Sequence, residues 1–243
     1  IDTGFNNAYI NMAIDEVLLS SRVPVLRLYQ WKPCAVSIGR YQDLDDIDLD
    51  YCTENSIDVV RRITGGKAVL HEKELTYSFI IDKDEMPRSI IESYKIISSA
   101  IIQGLKTLGL NPEMNSSKIE NRDNPVCFQE QSFNELTINR KKFVGSAQVR
   151  KKGKLLQHGS ILTGIDTEKY SSCFKEKPET HDLRKRIAYI DIPKENLKSA
   201  IKQGFSEYFN TNLNGRSICG KELSGAKELA RTKYRLEAIS VKA

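Results

Sequence analysis

The sequence predicts an α/β fold, a mixed β-sheet with flanking helices. Three observations predict it. A long amphipathic helical pattern runs from about Arg88 to Leu108, with Gly109 as its stop. Short apolar and β-branched runs precede it, at Val25–Tyr29, Ala35–Ile38, Val59–Arg62, Val69–Leu70 and Leu75–Ile81. Three further runs follow, joined by turn signals, and read as a meander: Phe133–Ile138, Lys142–Arg150 and Leu155–Leu162.

The remaining elements fit around these. Residues 6–21 read as a helix capped by Asn6 or Asn7, because Ile10, Ala13, Ile14, Val17 and Leu18 recur at helical spacing. Asp45–Glu54 is a short helix, and Asn111–Asn124 is a polar loop leading to Pro125-Val126-Cys127. Asn139-Arg140 and Lys151-Lys152-Gly153 turn the meander. Beyond about residue 166 the pattern is helical, at Leu197–Phe209 and Lys221–Tyr234. Residues 1–243 are therefore expected to form a single domain with a helix-rich tail from about 166.

Composition narrows the class. The 243 residues are 40% hydrophobic and 28% charged, enough to bury a core. No apolar run approaches the length of a bilayer, and Ile1-Asp2-Thr3-Gly4 begins no secretory signal, so no membrane association is expected. Five cysteines are scattered without CxxC spacing, which argues against a disulfide framework and a cysteine zinc site. The cytoplasm and no metal are the natural expectations. The formal charge of +5 is spread along the chain, without the interleaved aromatics of a nucleic-acid surface.

Four segments could carry chemistry, and each also has a plain reading. In Arg61-Arg62-Ile63-Thr64-Gly65-Gly66-Lys67-Ala68-Val69-Leu70-His71, the glycines allow a ligand to approach bare backbone, and the arginines could meet a carboxylate or phosphate. The plain reading is a turn with exposed charges. Cys127 stands at the end of a polar loop, and is either a reactive thiol or a small buried hydrophobe. In Lys142-Phe143-Val144-Gly145-Ser146-Ala147-Gln148 the small residues thin the strand, and alternation puts Lys142, Val144, Ser146 and Gln148 on one side. Its alternative is a solvated hairpin tip. His158, in Leu155-Leu156-Gln157-His158-Gly159-Ser160, is a base or a hydrogen-bonded core histidine.

Taken together and in order, the RRxTGG-xVxH segment, Cys-Phe followed by Asn-Glu-Leu, Lys-Phe-Val-Gly-Ser-Ala-Gln and Leu-Gln-His-Gly-Ser-Ile-Leu resemble the lipoate/octanoate acyltransferase and ligase family. The helix around Asn11-Met12-Ala13-Ile14-Asp15-Glu16 is similar to that family's amino-terminal segment. Lys67 in place of a third glycine, Gln131, Asn134 and Arg235–Ala243 depart from the family pattern.

The resemblance implies a biotin/lipoate protein ligase-like fold and, because Val126-Cys127-Phe128 matches the cysteine-type branch, an octanoyltransferase. It implies Cys127 as nucleophile and Lys142 as its electrostatic partner. Arg62, Thr64, Gly65, Gly66, His71, Gly145, Ser146, Ala147, Gln148 and His158 would bind substrate. The donor would be acyl carrier protein. The acceptor would be a lysine of a lipoyl-domain protein, either glycine cleavage H protein or an E2 subunit. A thioester donor is already activated, so no cofactor is implied. ATP and Mg enter only in the alternative, a lipoate–protein ligase acting through lipoyl-adenylate. A second alternative is a non-catalytic adaptor that binds lipoyl domains.

Overall fold

Apolar residues on both faces of the central strands require cover on both sides. The computed structural model describes residues 1–115 and 135–235. The strands are β1 (Asp2–Asn6), β2 (Val25–Trp31), β3 (Ala35–Ile38), β4 (Asp58–Arg61), β5 (Val69–His71), β6 (Glu74–Asp82), β7 (Glu113–Met114), β8 (Leu136–Ile138), β9 (Lys141–Lys151) and β10 (Lys154–Leu162). A seven-stranded sheet runs β1-β2-β6-β10-β9-β8-β7, and a three-stranded sheet runs β4-β3-β5. β1 pairs with β2 in parallel, and the remaining neighbours of the large sheet are antiparallel. The fold class is the mixed α/β class expected.

The helices are α1 (Ala8–Leu18), α2 (Leu49–Glu54), α3 (Ile90–Lys106), α4 (Thr167–Ser172), α5 (Thr180–Arg186), α6 (Lys194–Tyr208) and α7 (Gly220–Leu229). α3 and α6 cover one face of the large sheet, where Ile97, Ile101, Leu197 and Phe205 pack on Leu28, Tyr77, Phe79 and Leu155. These two helices cross with almost no gap. A Cβ on Gly104 would sit 2.3 Å from the Ala200 carbonyl oxygen, and one on Gly204 would sit 2.3 Å from that of Ala100. α1 and α7 cover the opposite face through Met12, Ile14, Leu18 and Ala226, with Tyr234 just beyond α7. Among the described residues, no helix is long and apolar enough to cross a membrane.

The meander is present as β8-β9-β10, and its turns adopt the left-handed conformation at Asn139, Arg140, Lys152 and Gly153. Four elements lay outside the sequence reading: β1, β7, α4 and α5. β1 and β7 lie at the two ends of the sheet order, where strands too short for a legible alternation can still pair. The helix expected at Asp45–Glu54 starts later, because the Asp48 side chain accepts from Tyr51 N–H and caps Leu49–Glu54. The hairpin, for which a solvated tip is the plain reading, is exposed only at Asn139-Arg140, and Lys142 is wholly buried.

Candidate active site

Polar residues interrupt the apolar periodicity on the face of the sheet that meets α1. Arg27 lies opposite Ser78 across β2–β6, and Ser78 lies opposite His158 across β6–β10. α1 contributes Asn11 and Asp15, one turn apart on its buried side. Asp15 Oδ1 accepts from Arg27 Nη1 at 2.6 Å and from Ser78 Oγ at 2.8 Å. Asp15 Oδ2 accepts from Tyr29 Oη and His158 Nδ1, each at 3.1 Å. Burial alone would raise the Asp15 carboxyl, but Arg27 and the bonds from His158 and Ser78 outweigh it and hold the group below the usual range. Burial lowers His158, only partly offset by Asp15, so its ring is neutral with Nδ1 as the donor.

The other nitrogen of His158 completes a chain of bonds. Arg62 Nε donates to Thr64 Oγ1 at 3.1 Å, so the Thr64 hydroxyl donates onward to His158 Nε2 at 2.7 Å. Arg62 Nη1 donates to Ser37 Oγ at 3.2 Å, and Ser37 lies 2.7 Å from His71 Nε2. His71 Nδ1 lies 2.8 Å from Glu74 Oε1, which also accepts from Thr76 and Ser160. Burial would raise Glu74, but neighbouring His71 and the bonds from His71, Thr76 and Ser160 hold it low. Arg62 therefore joins two histidine–carboxylate arrangements, one on each side of it.

Arg62 also builds the glycine loop. Its Nη2 donates to the carbonyls of Gly65 and Lys67, each at 2.8 Å, and Nη1 donates to that of Ser37 at 2.9 Å. Arg61 donates to the carbonyls of Gly39 and Gln42. Both arginines thus hold loop backbone in place beside the cavity. Gly66 takes φ +92°, and the loop presses on Gly39, where a Cβ would lie 1.8 Å from the Gly66 oxygen.

A mostly apolar cavity of about 420 Å³ opens over this network, lined by Met12, Tyr29, Trp31, Ser37, Arg62, Gly66, Val69, His71, Thr76, Gly145, Ser146, Ala147, His158, Gly159 and Ser160. Its polar side chains bond mainly to one another, so the walls present carbon. Trp31 stacks on His71 with centroids 4.0 Å apart, held by its Nε1 bond to Thr76. Gly145, Ser146 and Ala147 line the space in succession, because the first lacks a side chain and the others are small.

The comparisons with known proteins agree with the geometry. The family model for the lipoyl protein ligase A/B catalytic domain matches residues 7–208. The chain belongs to that family. Octanoyltransferase LipM of Staphylococcus epidermidis is 38% identical, over 98% of this chain and 96% of the relative. A crystal structure of lipoate-protein ligase A bound with ATP superposes with a TM-score of 0.82 at 29% identity, covering 97% of this chain and 94% of the other. A bi-partite lipoate protein ligase from Thermoplasma acidophilum, described with its E2 lipoyl domain, superposes at 0.79 with 27% identity, over 97% and 91% of the two chains.

Of the residues that the lipoyl ligase family resemblance implied, Arg62, Gly66, His71, Gly145, Ser146, Ala147 and His158 line one cavity. Thr64 lies behind it on His158, and Gly65 contributes its carbonyl to Arg62. Gln148 is not in the lining: it bonds to Gln157 and to Ser93 of α3. Lys142 is also outside the lining, with its Nζ buried 2.5 Å from Glu135 Oε1. Cys127 lies outside the described residues. Sequence reading missed Asp15, Arg27, Ser37, Trp31 and Glu74. The available signal was polar residues on otherwise apolar faces: Asn11 and Asp15 on the helix, Arg27 between Leu26 and Leu28, Thr76 and Ser78 on one side of β6.

Proposed function

We propose that this protein transfers an octanoyl group from acyl carrier protein to a lysine of a lipoyl-domain protein, through a thioester on Cys127. The observation that carries this reading is the largely apolar cavity of about 420 Å³, built by family motif residues in a chain similar to octanoyltransferases over nearly its full length. An eight-carbon chain buried at about 0.8 kcal/mol per methylene gains roughly 5–6 kcal/mol of gross binding.

Two displacements make up the reaction. The Cys127 sulfur attacks the thioester carbonyl, an acyl–sulfur bond forms, and the carrier leaves as a thiol with the cysteine proton. The acceptor amine then attacks the acyl-enzyme, an amide forms, and its proton returns to Cys127. A free thiol titrates near ~8.5, so a nearby ammonium is needed to raise the thiolate fraction. Lys142 fills that role and stabilises the oxyanion. No cofactor takes part, and both partners are proteins of lipoate metabolism, the acceptor being glycine cleavage H protein or an E2 subunit. The reaction belongs in the cytoplasm.

The test is transfer to a purified lipoyl domain from octanoyl-acyl carrier protein without ATP. The expected product is an octanoylated domain. Modification that requires ATP and lipoate, and that survives Cys127→Ala, would instead identify a ligase. Domain binding without turnover under either donor would identify an adaptor.

A further inference from the structure

Glu135 belongs to the Asn-Glu-Leu segment that follows Cys127, and the reaction above gives it no task. It is 7% exposed and precedes β8 directly. Its Oε1 accepts from Lys142 Nζ at 2.5 Å, and Lys142 is 0% exposed. Both backbones are pinned. Asn115 N–H donates to the Glu135 carbonyl at 2.9 Å, and Ala188 N–H donates to that of Lys142 at 2.9 Å. Lys142 also pairs with Thr137 across β8–β9 and forms a parallel bridge to Ile187. Strand pairing on one side and the residue after α5 on the other fix where both side chains start.

A lysine this deeply buried can serve in two ways, as an ammonium or as a neutral amine base. Burial favours the amine, and an adjacent carboxylate favours the ammonium. Among the described residues, the other charged or titratable groups on β7, β9 and α5 are Glu113, then Lys141, Arg150 and Lys151, then His181, Asp182, Arg184, Lys185 and Arg186. All are exposed or half-exposed, and Lys141 is bonded to the Arg184 carbonyl. Solvent screens such groups, whereas the pair with Glu135 is out of water. We propose that Glu135 is a positioning residue that keeps Lys142 in its ammonium form and aims it for the acyl transfer. The inference rests on the octanoyl-transfer reading, with Lys142 acting as a cation toward Cys127.

The test measures octanoyl-enzyme formation from octanoyl-acyl carrier protein against pH, by rapid quench and intact mass. Wild type, Glu135→Gln, Glu135→Asp and Lys142→Met are compared. Wild type should rise as the thiolate forms and fall where the ammonium is lost. Glu135→Gln should move the falling limb at least about one pH unit lower, since an opposite charge at this range shifts a partner by about 1–3 units. Glu135→Asp, which keeps the charge but sets it farther from the ammonium, should place the limb between those two positions. A Glu135→Gln profile that keeps its wild-type limbs, with or without a uniform drop in rate, overturns the inference. Should that variant fail to fold, Glu135→Asp decides: a limb shifted part of the way supports the inference, and an unmoved one overturns it. Lys142→Met separates the two layers. If it keeps the wild-type profile, the reading of Lys142 fails altogether. If it loses the reaction while the Glu135→Gln profile is unmoved, only the role of Glu135 fails.

Discussion

Asp15 of α1 and His158 of β10, separated by 143 positions in the chain, meet at 3.1 Å behind the cavity wall. Their contact ties the helix that covers the sheet to the strand that lines the site. Arg27, fully buried, neutralises the same carboxylate at 2.6 Å. Asp15→Asn removes that charge and leaves the guanidinium uncompensated. Breaking one side of a buried ion pair costs about 3–5 kcal/mol. Urea unfolding of Asp15→Asn should show a loss of that size, and a loss under about 1 kcal/mol would contradict the placement of the pair.

Glu16, the next residue of α1, holds the carboxy-terminal turn to the meander. Its carboxylate accepts from Lys151 at 2.9 Å, Lys233 at 2.7 Å and Tyr234 at 2.6 Å. Burial would raise it, but these bonds bring it down from 4.5 to about 2. A carboxylate depressed in the folded state contributes stability above its unfolded value, and that contribution is lost as pH falls through the folded value. The window here is therefore about pH 4.5 down to about 2. Glu16→Gln should be less stable at pH 7 by up to about 3 kcal/mol and should lose less than wild type on acidification through that window. Parallel acid limbs for the two proteins would argue against the tie.

The cavity predicts opposite outcomes at two glycines. A Cβ on Gly159 would lie 2.5 Å from Ser146 Oγ, 2.6 Å from the Gly145 oxygen and 2.9 Å from Tyr77 Cε1. Gly65 has nothing within 4 Å of that position. Gly159→Ala should destabilise by about 1–3 kcal/mol and cut octanoyl transfer strongly, because backbone must move. Gly65→Ala should fold and transfer close to wild-type rates. Equal behaviour of the two variants, in melting and in transfer, would remove the steric account of the slot.

The buried hydroxyl of Thr64 stands between Arg62 and His158, and Thr64→Val tests whether the Arg62 chain orders the loop. The swap keeps the shape and removes the bridge, leaving Arg62 Nε and His158 Nε2 without that partner. A buried polar group left unsatisfied costs about 1–3 kcal/mol. The expected result is a stability loss of that order and a raised KM for the octanoyl donor. An unchanged KM would place the loop geometry elsewhere, on Gly39 and Lys67.

The meander and the long helix were legible because their periodicities, about 2 and 3.6, differ sharply and Gly109 and Gly153 mark their ends. β1 and β7 were not legible, since pairing with a distant strand rather than local pattern makes them strands. At the site, the glycines and small residues showed where a ligand could lie, while their partners were hidden. Asp15 meets His158, and Arg62 turns inward to Ser37 and the Gly65 carbonyl, only when segments far apart in the chain are brought together. The burial of Lys142 was concealed by its neighbours Arg140 and Lys141, which made the hairpin look solvated.

In the proposed reaction Cys127 carries the acyl group. The most direct measurement is the intact mass of the protein after incubation with octanoyl-acyl carrier protein in the absence of ATP, followed by peptide mapping. An adduct of one octanoyl group on Cys127, labile to hydroxylamine and missing in Cys127→Ala, is the predicted result. An unmodified wild-type mass under conditions in which a lipoyl domain is still octanoylated would contradict it.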